Sequence, residues 1–243
     1  MTLDRKYPVS VAQALHLGIR DAFGVPLIVL LASMTAFGSL ARDSGLNIEI
    51  ALISTLGIWA LPGQIVFAEL YAAGTEAMAL ILAVSLANAR FLPMAMSILP
   101  LLRDEVGQTA RLYLYAQLLS AQTWAYCHRV FPRLPSDARR FYFLAFALSI
   151  LLISMASTAL GYLLTDALPR PLALGLVLIN PIFMLLLLAD SRHRSVIFSL
   201  AAGVVIGPMM HLAAPNWGIL LTGVLAGTMG FAMDRFLIER QSE

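Results

Sequence analysis

From residue 22 onward, apolar stretches of about twenty residues alternate with short polar joints. A helix rises about 1.5 Å per residue, so about 20 such residues cross a hydrocarbon core of roughly 30 Å. The pattern predicts spans at 22–41, 50–71, 77–102, 111–130, 141–164, 171–189, 195–210 and 217–233. The expected fold is therefore all-α: a polytopic membrane protein of about eight transmembrane helices, one transporter-sized domain over 1–243. The fourth span is the least hydrophobic, carrying Gln117, Ser120, Gln122 and Thr123; without it the count is seven. Ahead of the first span, Val9, Ala12, Leu15 and Ile19 recur at helical spacing and predict an amphipathic helix lying on the interface. Asp4, Arg5, Lys6, His16 and Arg20 have no apolar run before them, so no cleaved leader is expected and the first span should act as the insertion signal.

Several spans are interrupted. The second carries Pro62-Gly63-Gln64, the third Asn88-Ala89-Arg90-Phe91-Leu92-Pro93, the sixth Asn180-Pro181 and the seventh Gly207-Pro208. Arg90 is the one charge in the third span and would lie near the bilayer midplane, where a guanidinium costs upwards of about 2.5 kcal/mol. In an unbroken helix Asn88 and Arg90 would point about 200° apart, and Pro93 would clash with the Ala89 carbonyl. A break at 88–90 removes both conflicts, because irregular backbone at depth is tolerated where protein covers it or a wet cavity adjoins it. Paired Gly/Pro interruptions in the two halves of a chain point to a midplane transporter site and to an internal inverted repeat.

Composition supports a membrane chain. It is 60% hydrophobic and 12% charged with mean hydropathy +0.83, against about 25% charged in soluble domains. A net charge of +2 with dispersed arginines argues against a nucleic-acid partner, and the single Cys127 excludes an intrachain disulfide or a cysteine metal cluster. With eight spans and the N-terminus inside, eleven Lys/Arg fall on inward segments and four on outward ones. That places the chain in a cytoplasmic (inner) membrane. Around the third span the bias is locally reversed.

For chemistry, Arg90 reads as a receiver of a substrate carboxylate, with half-helix N-termini at the breaks as further donors, or as one half of an ion pair with Asp21, Glu69, Glu76 or Asp190. Gly63 and Gln64 offer freed backbone and an amide to a polar solute, or form a plain kink. Asn180-Pro181 divides the same way. Ser120-Ala121-Gln122-Thr123 reads first as ordinary interhelical hydrogen bonding, and Gly203/Gly207 and Gly223/Gly227 as close-packing faces. His16, His128, His193 and His211 sit at span ends or in loops without metal-ligand spacing. A P-loop, a Gly-x-Ser-x-Gly elbow and a His-Glu-x-x-His motif are all missing. No cofactor, metal or enzymatic activity is expected.

At these residues the chain resembles the AzlC family of branched-chain amino-acid permeases. The resemblance runs through Phe37-Gly38-Ser39-Leu40-Ala41…Gly45-Leu46 and Ala60-Leu61-Pro62-Gly63-Gln64 to Asn180-Pro181-Ile182-Phe183. Its most specific part is Asn88-x-Arg90…Ser97-x-x-Pro100. Phe91 stands where the family usually has His, and Ser120-Ala121-Gln122 where a Thr-Asp-Glu-like element is common, so two groups able to carry a proton are missing. The resemblance implies export of small neutral amino acids, with a small hydrophobic AzlD-type membrane partner. The substrate site expected is Arg90, Asn88, Gln64, Phe91, Gly63 and Asn180. The alternatives are a membrane-embedded enzyme using the same cavity, or a non-transporting subunit in which Arg90 is paired internally.

Overall fold

The computed structural model describes residues 10–102, 109–167, 170–179, 194–213 and 218–239, with 182, 185 and 186. Asn180, Pro181 and Asp190 lie outside the described residues. Within them the chain is helical and contains no strand. It divides into two compact units, Met1–Pro181 and Ile182–Glu243.

The first unit is built around α2 (Val25–Asp43) and α9 (Ser136–Leu163). These are the two described helices long and apolar enough to cross a bilayer by themselves. Glycines set how closely they approach. A Cβ at Gly38 would strike the Thr158 carbonyl and one at Gly161 the Thr35 carbonyl, so the backbones meet where no side chain intervenes. Pro26 sits in the first turn of α2, where its missing N–H leaves no helical bond unmade. Phe37, Tyr142, Phe143, Phe146 and Ile150 fill the core. On the opposite faces Ile28, Leu148, Leu152 and Leu163 are exposed, an apolar surface suited to lipid and costly in water.

α1 (Val11–Ala22) begins with a capping box between Ser10 and Gln13. It docks on α9 through Ala14, Gly18 and Ala22 and leaves Val11, Leu15 and Ile19 exposed. The Tyr142 hydroxyl donates to Asp21 Oδ2 at 2.8 Å.

Three of the expected spans are each made of two helices. The second is α3 (Ile48–Gly57) and α4 (Leu61–Ala72). The third is α5 (Ala77–Asn88) and α6 (Phe91–Ile98), the latter continued by a 3-10 turn at Leu99–Leu102. These two halves are bent by 48° and together are long and apolar enough to span. The fourth is α7 (Thr109–Gln117) and α8 (Ala121–Val130). By length and composition the described helices give two spans, or three with the bent pair, fewer than the eight expected. α10 (Arg170–Val177) is the last described helix of this unit.

In the second unit α11 (Arg194–Ala213) packs on α12 (Gly218–Glu239). Gly203 faces Ala226 and Gly207 faces Thr222, and the constant sum of these positions makes the pair antiparallel. Two expectations are corrected. Pro208 lies inside a continuous α11 and does not interrupt it. Gly223 and Gly227 have no neighbour within 4 Å of a built Cβ among the described residues, so that face packs on none of them.

Candidate functional site

The second span breaks at 58–60 and the fourth at 118–120. Neither break is made by a proline. Pro62 is the second residue of α4, a start position rather than a kink, and 118–120 contains neither glycine nor proline. The pattern of residues had pointed to Pro62-Gly63-Gln64 for the first break and to no break in the fourth span. Both second halves start from an extended residue, Ala60 (φ −146°, ψ 115°) and Ser120 (φ −114°, ψ 167°). Ser120 Oγ caps α8 by accepting the Thr123 N–H at 3.0 Å. α4 has no side-chain cap.

The two breaks are fastened to each other. Gln117 Nε2 donates to the Leu56 and Gly57 carbonyls at 3.0 and 3.1 Å, and the Trp59 indole N–H donates to the Leu118 carbonyl at 3.3 Å. Carbonyls left over where α3 and α7 end are thus taken up by side chains of the opposite break. Trp59 holds φ +52°, a left-handed conformation that costs a non-glycine residue about 1–2 kcal/mol. Strain of this kind persists where the surroundings enforce it, commonly beside functional cavities.

Such a cavity is present. Its volume is about 40 Å³, room for a few waters. Arg90, Phe91, Trp59, Ala60 and Leu61 line it together with Ser120, Ala121 and Gln122, and α2 and α9 contribute Leu30, Met34, Ile150 and Ser154. Arg90 reaches it because the chain turns at 89–90. The Ala89 N–H bonds to the Leu86 carbonyl, the Leu92 N–H to the Ala89 carbonyl, and Pro93 falls in the first turn of α6, where no helical partner is lost. Exposed at the cavity rim, the Arg90 guanidinium lies 5.4 Å from the centre of the Phe91 ring. Among the described residues no carboxylate stands within 4.0 Å of it. Asp21, one of the ion-pair partners open to it on sequence grounds, is engaged by Tyr142.

The other expected site residues lie just behind this wall. Gln64 is fully buried, donates to Thr55 Oγ1 at 2.9 Å, and through Thr55 and Thr158 (3.2 Å) ties α4 to α3 and α9. Gly63 makes room for Asn88, since a Cβ there would sit 2.5–2.9 Å from the Asn88 amide. Neither Gly63, Gln64 nor Asn88 lines the cavity. Asn180 is outside the described residues.

Of the lining residues only Arg90 and Phe91 are among those expected from the sequence, and two of the others are buried polar residues with unpartnered side chains. Gln122 is 3% exposed with both amide atoms unpartnered, and Ser154 is 0% exposed with an unpartnered hydroxyl. Ser97 acts elsewhere. It accepts the Trp124 indole N–H at 2.8 Å, donates to the Met94 carbonyl, and meets His128 Nε2 at 3.3 Å, latching α6 to α8.

No curated protein and no solved structure matched the chain. A family model described as AzlC protein matches residues 26–168, from the start of α2 to the turn after α9. That segment holds the paired breaks, Arg90 and every residue lining the cavity, and the chain accordingly belongs to the AzlC family of membrane transport-related proteins.

Proposed function

We propose that this chain is a secondary transporter subunit that exports small neutral, branched-chain-like amino acids across the cytoplasmic membrane. In this reading Arg90 receives the substrate carboxylate. One observation carries it: an obligate cation opens onto a cavity at a helix break, with no acid beside it among the described residues. A guanidinium so placed binds a planar carboxylate through parallel N–H donors. The uncapped start of α4, at Ala60 and Leu61, adds backbone N–H groups and the positive end of a helix dipole. Leu30, Met34, Leu61, Phe91 and Ile150 supply an apolar wall for an aliphatic side chain.

Among the described residues the lining holds no histidine, cysteine or carboxylate, which favours transport over general acid–base catalysis. In this reading one wall of the cavity moves to load the substrate. α5–α6 suits that role: α5 contributes no buried residue, α6 contributes Ile98 alone, and the Ser97 latch joins α6 to α8. Gly63 packs against Asn88 beside the break at 89–90, Gln64 ties α4 to α3 and α9, and the Lys/Arg distribution favours an inward N-terminus. An AzlD-type partner enters through the family resemblance.

The test is leucine or valine efflux from preloaded cells, with membrane abundance matched between variants. Arg90→Ala is expected to reduce efflux to the background of cells lacking the chain. Efflux at the wild-type rate contradicts the assignment.

A further inference from the structure

We infer that Gln122 and Ser154 form the receptor for the substrate's α-ammonium, making the cavity a zwitterion site rather than a general monocarboxylate site; this rests on the carboxylate reading of Arg90. Buried polar atoms in native proteins are nearly always paired, and an exception calls for a ligand or a strain account. Three buried atoms of residues that line this cavity are exceptions: Gln122 Oε1, Gln122 Nε2 and Ser154 Oγ.

Ser154 is informative because a helix serine has an acceptor at hand in the backbone three or four residues earlier. Ser33, Ser54 and Ser157, all buried in helices of the same unit, bond back to Val29, Ala51 and Ile153 at 2.7–2.8 Å. Ser154, one turn from Ser157 on α9, makes no such bond. Ser39 is also unpaired, but it does not line the cavity.

The distribution of donors and acceptors then fixes the ligand's polarity. Arg90 and the start of α4 present donors. Three carbonyl acceptors at the paired breaks are occupied, those of Leu56 and Gly57 by Gln117 and that of Leu118 by Trp59. Ser120 Oγ is committed to Thr123. What remains unpartnered on the lining side chains is the Gln122 amide oxygen and the Ser154 hydroxyl. Either orientation of the amide leaves one oxygen free. An ammonium bound by neutral dipoles, with no carboxylate in the lining, suits one positive charge close to the carboxylate. It disfavours substrates with a second, side-chain cation.

The experiment is equilibrium binding to the purified full-length chain of L-leucine and of 4-methyl-2-oxopentanoate, which keeps the carboxylate and carbon skeleton but has a ketone in place of the ammonium. Gln122→Leu and Ser154→Ala are each expected to weaken leucine binding about 10- to 100-fold, the effect of losing a hydrogen bond to a charged group. The oxo acid should lose much less. Thermal stability should hold or rise, since each change removes buried groups that have no partner. Equal losses for the two ligands, unchanged leucine binding, or a stability drop that accounts for the losses overturns the assignment. Arg90→Gln separates the two readings, because it should weaken both ligands together. A wild-type chain that binds neither ligand, or an Arg90→Gln chain that binds both normally, overturns the carboxylate reading and this one with it.

Discussion

Arg90 and Gln64 illustrate how differently two polar residues in apolar surroundings can be used. Arg90 lines the cavity with no carboxylate within 4.0 Å among the described residues, which is what the proposed role as a carboxylate receiver requires. Gln64 commits its donor to Thr55, and the Gln64–Thr55–Thr158 chain links three helices. Thr55→Val should strand the Gln64 amide and break the tie to α9, costing about 1–3 kcal/mol. Its thermal midpoint in detergent should fall by several degrees while Thr55→Ser stays near wild type; a valine variant as stable as wild type would show the chain to be dispensable. Arg90 was legible in the sequence because a lone charge in an apolar run calls for either a solute or an internal acid partner. Gln122 and Ser154 were not, because serine and glutamine in a helix ordinarily bond locally, and only the tertiary arrangement shows that these two do not.

Between the elements, small residues and interruptions do most of the positioning. The α2–α9 crossing depends on Gly38 and Gly161, where an added Cβ meets backbone that cannot yield. Gly161→Val should therefore prevent recovery of monodisperse protein. Gly223→Ala, whose new methyl group meets nothing within 4 Å, should leave stability unchanged or raise it by up to about 1 kcal/mol through helix propensity. Equal behaviour of the two variants in size-exclusion and thermal-unfolding measurements would contradict this packing. The break after Asn88 was readable from the conflict between Asn88, Arg90 and Pro93 in one continuous helix. The break at 118–120 was not, since its signal is an N-cap serine with no proline near it. Pro62 and Pro208 misled in opposite ways: one starts a helix just after the break, the other sits within a helix that continues. Of the interruptions expected in the second half, the one at Gly207-Pro208 is not made and Asn180-Pro181 lies outside the described residues, while the breaks of the second and fourth spans are fastened to each other.

For the whole molecule, apolar length predicted a membrane protein, and the exposed leucines and isoleucines of α2 and α9 have the character of a lipid-facing surface. The span count was harder to read, because broken spans are made of helices too short to qualify singly. Membership of the AzlC family brings a transport-related role, and the proposed carboxylate substrate rests on Arg90 in the cavity lining. The most direct measurement compares L-leucine with L-leucinamide, identical except that the amide removes the negative charge, for binding to the wild-type chain and to Arg90→Gln. Pairing of guanidinium with carboxylate predicts that the wild type prefers leucine by about tenfold or more and that the variant loses this preference. An undiminished preference in the variant would place the carboxylate elsewhere and contradict the account.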